Sequence, residues 1–199
     1  MGRPFFGNAD FLDAALILVS ERGPSAVTVG AISARLRAPT GSFYHRFASR
    51  DALLGALWLR TVMAFQEGIN AALDAGDGLK AALHTPTWAR EHMDEGRLLL
   101  LHHRDDFVQG DWPRDLQEGV AEQTRRARGA LEKFARDTFG SDGADEVRRA
   151  GFILGSVPVA AVRDYLHRRE PPPPIVDELI RTTYHAIVDG YHASKPSLQ

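Results

Sequence analysis

The chain is 199 residues long, 44% hydrophobic and 25% charged, with a formal net charge of −2 and no cysteine. That length can bury a real core in one large domain or two small ones, and the missing thiols exclude disulfides and thiolate metal sites. No stretch approaches the roughly 20 apolar residues of a membrane span, and the start lacks the charged-then-apolar layout of a signal peptide, so the expected location is cytoplasmic, at the nucleoid if the chain meets DNA.

Helical periods run through the whole sequence, and SAVTV at 25–29 is the one short β-like stretch. Asn8 or Asp10 is placed to cap a first helix that carries an apolar stripe of Leu12, Ala15, Leu16 and Val19 and continues to Arg22, where Gly23 and Pro24 end it. Before it lies a short arm with Arg3, able to reach a minor groove or a phosphate. Thr28 can cap a second helix over Val29 to Leu36, with Ile32 and Leu36 four apart on one face. Arg37, Ala38 and Pro39 then read as a break, because proline has no N–H to donate and restricts the residue before it.

Thr40 offers the next cap, and Gly41 to Phe47 gives about two turns of a third helix. Phe43 and Phe47 fall four apart and face inward, leaving Ser42, Tyr44, His45 and Arg46 outward. That outward set is rich in donors for phosphates and base edges, and Gly41 lets the backbone approach a phosphate. Residues 28–47 therefore have the outline of a DNA-reading helix-turn-helix, on which the first helix packs to complete a three-helix domain.

The charge distribution agrees with this reading. Residues 1–60 carry seven arginines against four acids, a net +3, while the remainder has seventeen basic against twenty-two acidic residues, a net −5. The electrostatic footprint for a polyanion sits at the front, and the rest repels one.

Ser49 to Asp51 opens a much longer helix reaching about Ala75, with Leu54, Leu57, Trp58, Phe65, Ile69 and Leu73 at three- and four-residue spacing. Five more helices are expected at about 78–91, 94–106, 113–139, 142–168 and 174–193, which makes nine in all. Pro158 should kink the eighth, and the run Pro171 to Pro174 reads as a stiff connector between two antiparallel helices. In the last two helices, Gly151, Gly155, Ala160 and Ala161 are small enough to admit another helix, while Val176, Leu179, Ile180, Thr183, Ile187 and Tyr191 form a broad apolar face. These faces could serve a second copy or the interior of the same chain.

His102 and Asp106 could share a helix face, the beginning of a zinc or iron site. A third ligand is missing from the spacing, so the carboxylates of this tract are expected to pair with Arg97 and Arg104, with no metal or other cofactor bound. Phe65, Trp88, Phe107, Trp112 and Phe152 provide bulk around an apolar cavity, with His92, His102 and His103 as polar anchors. A filled core would draw on the same residue types.

From Phe11 to Leu57 the chain resembles the TetR family of bacterial transcriptional regulators. The residues that carry the resemblance are Ile32 and Ser33, then Gly41, Ser42, Phe43, Tyr44 and Phe47, then Ser49, Arg50, Asp51, Leu53 and Leu54. One position departs from the pattern: Arg37 stands where members usually have a turn glycine. The resemblance implies an all-α fold, with a helix-turn-helix DNA-binding domain over about 5–65 and a helical effector-binding and dimerisation domain over 66–199. It implies Tyr44 and Arg46 on the DNA backbone and Pro39, Thr40 and Phe43 nearer base edges. Beside these, the outward positions Ser42 and His45 are candidate contacts, and Arg37 and Arg50 are expected on phosphates. It further implies a homodimer through the last two helices, a double-stranded operator as partner and a small apolar effector, with repression the expected mode of control.

Two rivals come from other classes. A helical enzyme lacks support, since no Gly-x-Ser-x-Gly, phosphate-loop or zinc-protease pattern occurs. A helical adaptor would bind protein through the front domain, and a regulator without effector would leave the second domain as a dimerisation platform alone.

Overall fold

The computed structural model describes residues 6–107 and 113–194. Among these residues the secondary structure is helical: α1 Asn8–Arg22, α2 Val29–Leu36, α3 Thr40–Tyr44, α4 Arg50–Asp74, α5 Gly78–Glu91, α6 Met93–Leu101, α7 Arg114–Phe139, α8 Ala144–Gly151, α9 Val157–Arg168 and α10 Ile175–Ser194. A π-turn, Phe152–Ser156, joins α8 to α9, so the two form one rod and the expected nine helices stand among the described residues.

The chain divides into two compact units, one of Met1–Val62 with Asp94–Ala121, the other of Met63–Met93 with Glu122–Gln199. This differs from a contiguous cut near residue 65, because α6 returns to the first unit. Leu98 and Phe107 are fully buried in the same core as Phe11, Phe43 and Phe47, and Arg97 Nε donates to the Ser20 carbonyl at 3.0 Å while the Ser20 hydroxyl donates to Asp94.

In the first unit, local chemistry sets the helix ends. Thr28 Oγ1 accepts from the Ala31 amide at 3.0 Å, as its position predicts. The expected caps at Asn8 and Asp10 are corrected: Gly7 precedes α1, and its amide donates to the Asp10 carboxylate at 2.7 Å from inside the first turn. Gly23 ends α1 with φ 81°, a conformation that suits glycine. Three phenylalanines form the centre, Phe11 lying edge-on to Phe43 and Phe47 with centroids 5.9 and 6.2 Å away.

In the second unit α5 packs against both α9 and α10, which also touch each other. The proline run is the connector that the sequence predicts, and it is pinned. Arg90 Nε donates to the Pro172 carbonyl at 2.7 Å, and the same guanidinium pairs with Asp177 at 2.9 Å. Tyr191 closes the other end, its hydroxyl donating to the Phe139 carbonyl at 2.8 Å.

Just before Pro158 the helix departs from regular α-geometry. A proline has no N–H for the carbonyl four residues back, and the helix answers with the π-turn just before it, in which the Val157 amide reaches the Phe152 carbonyl. The expected helix over 94–106 is also shorter than its pattern: it stops at Leu101, and a separate 3₁₀ turn covers Arg104–Asp106.

Candidate functional site

Two short helices and the turn between them build the outward surface of the first unit. Arg37 occupies the left-handed region, φ 54° and ψ 35°, where its amide bonds to the Ala34 carbonyl at 3.2 Å and the next amide, Ala38, reaches back to Ser33 at 2.9 Å. This is a Schellman closure of α2. An arginine thus adopts the geometry that a turn glycine would, at a cost of roughly 1–2 kcal/mol, and its exposed side chain stands at the mouth of the turn.

Pro39, extended at φ −60° and ψ 139°, leads directly into α3. The expected cap by Thr40 is corrected: the helix begins one residue earlier than its pattern suggests, and Thr40 lies inside the first turn with an exposed side chain. The helix is also shorter than two turns, since its α-geometry ends at Tyr44. Thr40, Tyr44 and His45 are exposed, Tyr44 by 60%, and Ser42 is half-buried beside them. These side chains, together with Pro39 and Arg37, offer hydroxyl, imidazole and guanidinium groups to a partner from one short segment.

Two of the proposed contacts have other duties, and a third is partly engaged. Phe43 is completely buried and edge-on to Phe11, so it supports the surface instead of belonging to it. Arg50 is held internally: Nε donates to the Val27 carbonyl at 2.6 Å, one terminal nitrogen to the Pro24 carbonyl at 2.7 Å, and the other pairs with Asp51 at 2.9 Å. It braces the segment before α2 where a phosphate contact was expected. Arg46 is half-buried, with Nη1 3.3 Å from Asn8 Oδ1, which orients it along the start of α1. Arg60 pairs with Asp13 at 2.7 Å.

The second unit holds a cleft of about 320 Å³ between α4, α5, α7 and the rod of α8 and α9. Phe65, Ile69, Leu131 and Leu154 wall it, with Gln66, Asn70 and Thr85 as its polar members. Of the residues expected around an effector, Phe65 alone among those described lines this space. Trp88 lies behind it, ring centroids 5.0 Å apart, and His92 stacks on Trp88 from the exposed side. His102 and Phe107 face each other within the first unit, where His103 is exposed, and Phe152 is 49% exposed. Trp112 lies outside the described residues. The sequence reading missed Asn70 and Thr85 because a polar residue on a helix facing a void has the same periodicity as one facing solvent.

No group of three metal-ligating side chains occurs among the described residues. In the His102–Asp106 tract, Arg104 pairs with Asp105, and the Asp106 carboxylate accepts the His103 amide at 2.7 Å.

The apolar face expected at the last two helices splits in two. Val176, Ile180 and Tyr191 are buried within their own unit, and Gly151 and Gly155 line the cleft, so these five do not present an outer surface. The reason is that α10 uses that stripe to pack on α5 and α9. Ile175 and Leu179, 49% and 58% exposed, continue at four-residue spacing into half-buried Thr183 and Ile187 along a second, outward stripe.

A buried three-helix core that displays a short polar helix after a tight turn has the geometry of a helix-turn-helix. Residues 11–57 match the family model described as bacterial regulatory proteins, tetR family. The fold is shared with a TetR-like transcriptional regulator from Rhodococcus sp. RHA1 at 20% identity and TM-score 0.68, covering 98% of this chain and 100% of that one. It is shared also with a fatty acid degradation regulator from Bacillus halodurans, at 12% identity and TM-score 0.66 over 95% and 98% of the two chains. A transcriptional regulator from Aquifex aeolicus VF5 aligns at 18% identity and TM-score 0.63 over 90% and 98%. No curated protein matches the sequence. The amino-terminal segment 11–57 is thus of the kind that the tetR family model describes, and the fold of the chain is one that solved TetR-like regulators share.

Proposed function

We propose that this chain is a repressor that binds a pseudo-palindromic operator as a two-fold dimer and releases it when a small, mainly apolar molecule enters the second unit. The observation that carries the reading is the outward face of α3. Thr40, Tyr44 and His45 are exposed on a helix whose other side, Phe43, is locked into the core, an arrangement that holds donors rigid at the surface. Pro39, Ser42, Arg46 and Arg37 complete the contact set.

Residues 5–65 are the DNA-reading part in this proposal, and 66–199 carry the effector and dimer surfaces. The outward stripe of Ile175, Leu179, Thr183 and Ile187 suits a second copy, since a two-fold axis lets one self-complementary face cover itself. Such a dimer presents its α3 helices to major grooves one DNA turn apart, about 34 Å, or a multiple of it. α4 contributes residues to both units, so a molecule that displaces it alters the DNA-reading part as well, and effector and operator weaken each other's binding by linkage.

The test is a selection of random duplexes on the purified protein, followed by a salt titration and sedimentation of the wild type and Leu179→Glu. An enriched inverted repeat, an affinity falling steeply with salt and a monomeric variant are expected. Binding insensitive to salt, or a Leu179→Glu protein that remains dimeric and fully active on the repeat, overturns the reading.

A further inference from the structure

The cleft in the second unit carries more chemistry than its apolar walls suggest. Asn70 Oδ1 and Thr85 Oγ1 both line or border it, both atoms are buried, and neither has a hydrogen-bond partner. Thr85 is 1% exposed. A buried polar atom left without a partner destabilises the fold, and two on one void mark a place where a ligand can supply what the protein does not. None of the residues lining the cleft is charged. A carboxylate, phosphate or ammonium entering there would lose its hydration without a counter-ion.

From this we infer the class of the effector, resting on the effector-released reading above: an uncharged, largely apolar molecule bearing a hydroxyl group, which donates to Asn70 Oδ1 or accepts from Thr85 Oγ1. A hydroxyl can do either, and it adds no charge. The volume of about 320 Å³ has room for roughly ten water molecules, enough for a bicyclic alcohol or phenol or a medium-chain alcohol. The π-turn shapes the same wall, because Leu154 and Gly155 belong to it and a Cβ placed on Gly155 meets nothing within 4 Å. A helix that departs from α-geometry beside an empty space is a common mark of a binding site.

The experiment uses two matched triplets, 2-naphthol with naphthalene and 2-naphthoate, and 1-octanol with octane and octanoate, titrated into the full-length protein by calorimetry. In parallel, retention of the selected duplex is followed. The alcohol of at least one triplet is expected to bind about tenfold more tightly than its hydrocarbon, one hydrogen bond's worth, and the acid not to bind. Asn70→Leu with Thr85→Val should remove that preference while keeping hydrocarbon binding, a readout that requires a folded protein. Gly155→Leu should fill the space and block both ligands. Acids binding as well as alcohols, an unchanged preference in the double variant, or no binding by any of the six compounds overturns the assignment. Alcohol binding that never releases the duplex sinks effector-controlled repression and leaves the ligand class standing.

Discussion

Arg50 Nε lies 2.6 Å from the Val27 carbonyl, and the same guanidinium reaches Pro24, so one side chain at the start of α4 ties down the segment that leads into α2. An arginine's planar fork serves both carbonyls at once, whereas a lysine offers a single point. Arg50→Lys is therefore expected to lower stability by about 1–3 kcal/mol, the cost of leaving a partly buried carbonyl without its charged donor. Thermal denaturation checks this. The slope of DNA affinity against salt should stay at the wild-type value; a slope reduced by one charge would return Arg50 to a phosphate.

Arg37 gives the opposite trade. Its left-handed backbone disfavours any side chain, and its guanidinium is exposed. Arg37→Gly should raise stability by about 1 kcal/mol while weakening operator binding and reducing the salt slope by about one. Chemical denaturation and a duplex titration at several salt concentrations measure the two effects separately. A variant that loses stability would mean the arginine makes contacts that outweigh the backbone strain.

Tyr44 and Phe43 are neighbours in sequence with separate tasks. Their rings meet edge-on at 5.3 Å, but Phe43 is fully buried and Tyr44 is 60% exposed. Phe43→Ala should cost about 3–5 kcal/mol of folding stability. Tyr44→Phe should leave the melting temperature nearly unchanged and weaken the complex with DNA, because only the hydroxyl is lost. If the two variants behaved alike in both assays, α3 would be a packing element with no reading face.

His84 predicts a pH dependence in the second unit. Burial pushes its pKa below the ordinary 6.5, opposed by the Phe65 backbone, and its Nε2 has no partner. The unfolded chain then binds the proton more readily than the folded one, so this residue's contribution is present above about pH 6.5 and is lost as the pH falls through the folded-state value. Melting temperatures between pH 8 and 5 should fall less for His84→Gln than for the wild type. Parallel curves for the two proteins would refute the assignment. Space around the ring is tight, since a Cβ on Gly68 would clash with it, and Gly68→Ala should destabilise the unit at every pH.

Much of this architecture was legible in the amino-acid order, because helices are local objects. Thr28 before an apolar pair four apart, Gly23 with Pro24, and Ser49 ahead of a long stripe set the bounds of α1, α2 and α4 to within about two residues, as hydrogen bonds within a single turn decide such ends. The inward spacing of Phe43 and Phe47 identified the buried side of α3 for the same reason. Sequence periodicity alone, however, could not say what an apolar or polar face meets. Val176 and Ile180 found α5 and α9 within their own unit, Leu98 and Phe107 joined a core formed some fifty residues earlier in the chain, Arg50 turned inward, and Asn70 and Thr85 turned out to border a void. Those outcomes depend on contacts between segments far apart in the chain, and such contacts are settled only when every helix competes for the same buried space.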